Sequence, residues 1–311
     1  MLIIGDCREE MRKLITEGVK VQMCVTSPPY FGLRAYLPKE HPYKAKELGT
    51  EKTPEDYVAN MVEVFNLVRE LLNDNGVLWL NIGDSYAGSG SPGGDFRDGK
   101  GGDVYLRPYN RKGEGIKPKD LIGIPWMVAF ALRSAGWYLR QDIVWHKPNP
   151  MPESVTDRCT KSHEYLFLFA KSQKYYYDND AIREPHKTKI GPPREYSKEK
   201  YNNAYLSSRG KGLRTMYSKI GRNKRSVWTV STKPYKGSHF ATFPTELIEP
   251  CVLAGSKEGD TVIDPFFGSG TVGEVCNKFG RKWIGIDLNA EYKSLQKNRT
   301  AQQYLEFGRA V

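Results

Sequence analysis

The stretch Val21-Gln22-Met23-Cys24-Val25-Thr26-Ser27-Pro28-Pro29-Tyr30 decides how the rest of the chain reads. Its first five residues are a short apolar run with β-branched side chains, which predicts a buried strand. Thr26–Tyr30 then puts a polar pair, two prolines and an aromatic ring at the strand's carboxyl end, where ligands bind in open α/β sheets. The prolines fix φ and remove two N–H donors, so nearby carbonyls are expected to stay free to accept from a ligand. Tyr30 offers a flat stacking face. A rigid acceptor beside an aromatic platform suits a planar ring bearing an amino group. A plain Pro-Pro turn after a strand uses the same residues, and this stretch alone leaves both readings open.

A second unit lies late in the chain. Thr261-Val262-Ile263-Asp264-Pro265-Phe266-Phe267-Gly268-Ser269-Gly270-Thr271 reads as strand, glycine turn and helix, the helix running to about Phe279. Trp283-Ile284-Gly285-Ile286-Asp287 is the next strand. This is a mononucleotide-binding pattern, with Gly268 and Gly270 allowing close backbone approach. Asp287 is placed to accept from two ribose hydroxyls. The turn is not G-x-G-x-x-G, and it opens on Asp264, Pro265 and Phe266. A carboxylate there repels a pyrophosphate and suits a cationic centre or an amino-acid ammonium, which points to S-adenosylmethionine rather than NAD or ATP. A structural glycine turn is the plainer alternative.

Between these units the chain reads as βαβ. Leu2-Ile3-Ile4 is a strand, followed by a helix with Met11, Leu14 and Ile15 at helical spacing. Thr53-Pro54-Glu55-Asp56 supplies an N-cap, a first-turn proline and two acids. The helix it starts carries Tyr57, Met61, Val64, Phe65 and Val68 on one face and ends at Asn73–Gly76, before the strand Val77–Ile82. Residues 31–53 read as a loop over a site. Residues 87–117 hold nine glycines and read as a long loop, without a GxxxxGK(S/T) pattern. Pro118 to Arg133 is predicted as a helix, Trp137 to Trp145 and His163 to Phe169 as strands, and Tyr175-Tyr176-Tyr177 as a hairpin partner. Val227–Val230 resumes the sheet, Pro244 starts a helix to Leu253, and a last helix runs from Ala290 to about Leu305. The fold class is therefore α/β, a doubly wound and mostly parallel sheet. His146 and His163 have no neighbours at metal-ligand spacing and read as structural, so no metal site is expected.

Size and charge bound the function. A chain of 311 residues with 39% hydrophobic and 12% aromatic residues holds one large domain, or one with a sizeable insertion. No apolar run reaches the ~20 residues that span a bilayer. The start, MLIIGDCREE, has no basic n-region, so no signal peptide is expected. Cys7, Cys24, Cys159, Cys251 and Cys276 are scattered and odd in number, which argues for a reducing compartment. The net charge of +11 is concentrated at 185–225, with twelve Lys/Arg against two Glu. Tyrosines stand among those charges, so the block reads as a grip on a polyanion rather than a solvated run.

These residues resemble the amino-group DNA methyltransferases, which act on cytosine N4 or adenine N6. Thr26–Tyr30 matches the family's catalytic (D/N/S)-P-P-(Y/F/W) motif, and Asp264–Thr271 its D-P-F-x-G-S-G-T cofactor motif. Gly5-Asp6-Cys7, Gly76–Asp84, Trp145–Pro148, His163–Phe169 and Ser238–Pro244 extend the likeness over most of the chain outside 87–117 and 185–225.

The resemblance implies a Rossmann-like, circularly permuted fold, with the cofactor strand beside the catalytic strand in space. It implies Ser27, Pro28, Pro29 and Tyr30 as catalytic, and S-adenosylmethionine held by Asp6, Cys7, Phe240, Pro244, Asp264, Phe266, Gly268, Gly270 and Asp287. Residues 1–184 and 226–311 would form the catalytic domain and 185–225 a target-recognition insertion. Lys198, Arg209, Lys211, Arg214, Arg222, Lys224 and Arg225 would grip double-stranded DNA. Ser27 favours cytosine N4 over adenine N6. A cytoplasmic bacterial, archaeal or phage enzyme is implied, with a separately acting cognate restriction endonuclease and a monomer or homodimer left open. A non-catalytic DNA-binding module is the rival reading, set against it by the intact cofactor residues.

Overall fold

The computed structural model describes residues 1–33, 35–88, 116–186, 221–232 and 243–301. Within them one sheet contains β1 (Leu2–Ile4), β2 (Val21–Thr26), β3 (Leu72–Ile82), β4 (Tyr138–His146), β5 (His163–Ala170), β6 (Val227–Thr229), β7 (Thr261–Asp264) and β8 (Lys282–Asp287). The spatial order is β1-β8-β7-β2-β3-β5-β4-β6, and only β5 runs against its neighbours. The helices are α1 (Cys7–Thr16), α2 (Pro54–Leu71), α3 (Ile124–Ser134), α4 (Thr245–Gly255), α5 (Thr271–Lys278) and α6 (Lys293–Ala301). None among the described residues is long and apolar enough to cross a membrane.

The sheet is doubly wound, as the βαβ pattern predicts. Every residue of β2 is buried, and its alternation feeds two cores. Cys24, Leu78 and Leu80 pack on one face under α1, α2 and α3. Met23, Val25, Val77 and Trp79 pack on the other under α4 and α5. Local chemistry sets the helix starts: Asp6 caps α1 by accepting from the N–H groups of Arg8 and Glu9, and Thr53 caps α2 ahead of Pro54.

Three expectations are corrected. No turn separates α2 from β3: the strand starts at Leu72, and its register slips between the pairs Val21–Leu72 and Met23–Val77, so Asn73–Gly76 absorb a bulge. Tyr175–Tyr177 are not a hairpin partner, because β3 and β4 already occupy both edges of β5. Tyr177 instead stacks on Trp79 with ring centroids 6.3 Å apart. The third helix starts at Ile124 and not Pro118. Asp84 accepts from the N–H groups of Gly123 and Ile124 at 3.0 and 3.1 Å and so caps it from a distance in sequence.

The chain brings its two motif strands together. β7 lies directly beside β2, with Met23 opposite Val262 and Cys24 opposite Ile263. β2 continues through α2 to β3 on one side, and β7 through α5 to β8 on the other, so a crevice opens at their carboxyl ends. There the Thr26 hydroxyl donates to Asp264 Oδ1 at 2.6 Å, and the Phe266 N–H donates to the same oxygen at 3.0 Å. Asp264 is 1% exposed. Burial pushes its carboxyl up to about 7, against the lowering effect of those two donors.

Two outcomes follow for stability. Thr26→Val removes a donor from a buried carboxyl and should cost about 1–3 kcal/mol in urea unfolding at neutral pH. Asp264 binds its proton more tightly folded than unfolded, where a carboxyl titrates near about 3.9. Its contribution is therefore fully present below that value and is lost as pH rises to about 7. Asp264→Asn should flatten the fall in stability measured between pH 5 and 7; an unchanged slope would refute the assignment.

Candidate active site

A partly open cleft of roughly 890 Å³, mouth included, occupies that crevice. Its walls come from the carboxyl ends of β1, β2, β7 and β8 and from two flanking segments. Gly5, Asp6 and Cys7 lie at the β1–α1 turn, Ser27 and Pro29 after β2, and Phe266, Gly268 and Ser269 after β7. Asp287, Asn289 and Tyr292 follow β8, Phe243 precedes α4, and Tyr36, Leu37, Lys46 and Leu48 close over from the 31–53 loop. That loop is pinned by buried Glu47, whose Oε1 accepts from the N–H groups of Tyr36 and Leu37.

The expected ligand residues divide into those that line the cleft and those that build it. Asp6, Cys7, Phe266, Gly268 and Asp287 line it. Asp264 and Gly270 do not: Asp264 is consumed by the β2–β7 junction, and Gly270 is the left-handed N-cap of α5 at φ 87°, a conformation that favours glycine. Pro244 caps α4, and its neighbour Phe243 is the residue that reaches the cleft. Phe240 lies outside the described residues, as do Lys198, Arg209, Lys211 and Arg214.

The acids in the cleft differ electrostatically. Asp6 is bonded through both oxygens to the Arg8 guanidinium at 3.1 and 2.7 Å. Burial acts to raise its carboxyl, but the Arg8 bonds and charge prevail and hold it below the usual carboxylate range. Asp287 has no such cation among the described residues. Its oxygens accept from the Asn289 N–H at 2.8 Å and the Gln296 side chain at 3.0 Å, and burial pushes it up to about 7. Gln296 also donates to the Gly268 carbonyl at 2.7 Å and so ties the glycine turn to Asp287. Burial, reinforced by the Asp6 charge, raises the Cys7 thiol to about 12, so it is a neutral wall.

Past the cleft the catalytic-type residues form a polar chain. The Pro29 carbonyl already accepts from the Tyr57 hydroxyl at 2.9 Å, which leaves it one lone pair. Ser27 Oγ donates to the Tyr30 hydroxyl at 3.4 Å. That hydroxyl lies 2.8 Å from Glu164 Oε2 and 3.1 Å from Asn81 Oδ1. Lys147 pairs with Glu164 and sits 4.3 Å from the Trp145 ring centroid. Burial, with the Glu164 charge behind it, raises the Tyr30 phenol well above its ordinary value and keeps it neutral. The ring fits because residue 83 is glycine: a Cβ there would stand 2.5 Å from Tyr30 Cε2. Sequence reading missed Asn81, Glu164 and Gln296. Their only signals are a polar residue in an apolar strand and a carboxylate at the start of another.

Of the basic residues proposed for DNA, Arg222 is paired with Glu184 at 3.0 Å. Lys224 stands 4.9 Å from the Trp228 ring centroid and 3.7 Å from Glu184. Arg225 is exposed. Glu184 and Arg222 also exchange both backbone hydrogen bonds at 2.9 Å, so the chain leaves and re-enters the described structure at one place.

Comparison with known proteins agrees with this geometry. The model of the DNA methylase family matches residues 21–298. The chain is 46% identical over 298 residues to the type II methyltransferase M.Cfr9I of Citrobacter freundii, covering 96% of this chain and 86% of that protein. It is also 46% identical over 299 residues to M.SmaI of Serratia marcescens, covering 96% and 89%. Among solved structures, the PvuII DNA methyltransferase (cytosine-N4-specific) has a TM-score of 0.60 at 18% identity, over 96% of this chain and 85% of that one. The M1.HpyAVI–SAM complex has a TM-score of 0.53 at 17% identity, over 96% and 98%. These two share the fold. By the family match and by close identity over nearly its whole length, the chain belongs to the DNA methylase family, as a type II DNA methyltransferase.

Proposed function

We propose that the protein transfers a methyl group from S-adenosylmethionine to the exocyclic N4 of a flipped cytosine in duplex DNA. The observation that carries this reading is that Ser27 and Pro29 line the same cleft as Asp6, Phe266, Gly268 and Asp287. The acceptor motif and the cofactor motif therefore share one space. The donor set fits the cofactor. Apolar walls at Leu37, Leu48 and Phe266 suit the adenine ring, while Asp287, at 8% exposure and without a cation, suits hydroxyl donors. Bound S-adenosylmethionine supplies an electrophilic methyl on a cationic sulfur.

The protein's own part is positioning and electrostatics. An exocyclic amino group is a poor nucleophile because its lone pair is delocalised into the base. The Ser27 hydroxyl and the Pro28 carbonyl accept its two N–H bonds, draw the nitrogen toward sp³ geometry and free the pair for in-line attack. Tyr30, fixed at its hydroxyl and admitted by Gly83, stacks on the base once it has left the helix. The hydroxyl at position 27 favours cytosine. Adenine N6 is the alternative, by the same mechanism.

Residues 185–225 act as the target-recognition insertion in this reading, supported by their charge and by the closed neck at Glu184 and Arg222. Arg222 and Lys224 build that neck, which leaves Arg225 and the further lysines and arginines for phosphate. Affinity for duplex should accordingly fall with salt. A separately acting cognate endonuclease, in the cytoplasm of the same cell, is the partner this reading implies.

Sequencing the DNA of cells that express the protein should reveal N4-methylcytosine within one short motif. N6-methyladenine in its place would overturn the choice of base. Ser27→Ala should slow methylation by about 10²-fold or more in a purified assay with labelled S-adenosylmethionine. Equal rates for variant and wild type would overturn the role of the motif.

A further inference from the structure

Nucleophile activation uses Ser27 and the Tyr30 ring but gives Glu164 no part in the chemistry. Ser27 Oγ, the Tyr30 hydroxyl and Glu164 Oε2 stand in series at 3.4 and 2.8 Å. The first end lies in the cleft, and the other end is a carboxylate whose side chain is 16% exposed beside Lys147 at 17%. It joins the reacting nitrogen's partner to solvent across strands β2 and β5. The reaction needs such a path. As the nitrogen lone pair bonds to the methyl, the methyl–sulfur bond breaks with its electrons left on sulfur. The nitrogen becomes cationic and must lose one N–H proton. A serine hydroxyl has one proton and two lone pairs, so it can relay a proton but does not hold an extra one at neutral pH.

We propose that Glu164 is the proton acceptor of the methyl-transfer reaction, reached through Ser27 and Tyr30. This rests on the methyltransferase reading above. The amino proton passes to Ser27 Oγ as the serine's own proton passes to the Tyr30 oxygen and the phenol proton passes to Glu164 Oε2. One N–H bond is lost and one carboxylic acid O–H is formed, and both hydroxyls end with one proton each. The acid then releases its proton to water at its exposed edge, and the hydroxyls rotate back.

Three features of the structure favour a relay over mere support of the ring. The Tyr30 phenol stays neutral because burial and the Glu164 charge oppose its ionisation, so it exchanges one proton for another and does not store charge. Lys147 neutralises the waiting carboxylate from the side away from Tyr30's oxygen, through Glu164 Oε1. Asn81 donates to the Tyr165 carbonyl at 3.1 Å and reaches Glu164 Oε2 only at 3.4 Å, so that oxygen keeps room for a proton. The 3.4 Å step from Ser27 is long for a hydroxyl pair, and such bonds tighten when substrate is bound.

The test is single-turnover methylation of duplex DNA by the full-length protein with labelled S-adenosylmethionine. Tyr30→Phe keeps the stacking ring, and Glu164→Gln keeps the shape of the acceptor. Each should slow the chemical step by about 10²-fold, with KM for DNA moved by less than about threefold, and the double variant should be no slower than the slower single one. Formate should restore Glu164→Ala by about tenfold or more and leave Tyr30→Phe unchanged, because only the first lacks its acceptor alone. Circular dichroism and S-adenosylmethionine binding check that each variant folds, and Glu164→Gln stands if the alanine variant does not. A Glu164→Gln rate within about twofold of wild type would overturn the relay, as would a formate-insensitive Glu164→Ala that is folded and slow. An inactive wild type would instead overturn the reading of the enzyme, so the two failures are distinct.

Discussion

The hydrogen bond from Thr26 to Asp264 is the interaction on which the site depends. It joins the ends of two adjacent parallel strands, β2 and β7, whose next residues are the acceptor motif and the cofactor turn. A second donor, the Phe266 N–H, shapes that turn from the same carboxyl oxygen. A buried carboxyl costs desolvation, and burial here raises Asp264 to about 7, so it is only partly ionised at neutral pH. What is gained is geometric: Ser27 and Phe266 are fixed relative to each other by one short bond and not by the loops around them. Such preorganisation is what methyl transfer needs, since its rate depends on alignment of the nitrogen, the methyl and the leaving sulfur.

The two sides of the cleft are then tuned differently. At one end of the cleft Asp6 is held charged by Arg8, whereas Asp287 has no cation partner among the described residues and rises with burial. On the acceptor side the one reversed strand, β5, delivers Glu164 to the Tyr30 hydroxyl, and β4 beside it delivers Lys147 to Glu164. An antiparallel strand inserted between parallel ones starts at the carboxyl ends of its neighbours. Its first residues, His163 and Glu164, therefore arrive at the active-site edge instead of the opposite one. The reversed strand is thus the means by which a residue from the start of a strand enters a site otherwise built from strand ends.

The edge of the basic block that lies within the described residues is tied down by local pairs. The basic block at 185–225 joins the described structure through a narrow neck, where Glu184 holds Arg222 by backbone and side chain and Lys224 lies against Trp228. Two of its charges, Arg222 and Lys224, are held in this neck, and Arg225 is exposed.

Local patterns were legible in the chain itself. The acceptor motif after β2, the glycine turn after β7, the cap at Thr53 and the doubly wound sheet all rest on spacings of a few residues, which sequence carries directly. Those same patterns misplaced the start of α3, because its cap is Asp84, 39 residues before Gly123. They also invented a hairpin for Tyr175–Tyr177, because periodicity does not say which edges of a strand are already taken. Asp264, expected as a cofactor contact, also ties β2 to β7 through Thr26. Only the order of strands in space could decide these roles. It brings together Thr26 and Asp264 across 238 residues, and Tyr30 and Glu164 across 134. A carboxylate in an unfolded chain has no partner until a sheet supplies one, so the sequence determined which chemical groups the site would contain, and the tertiary structure decided which of them touch.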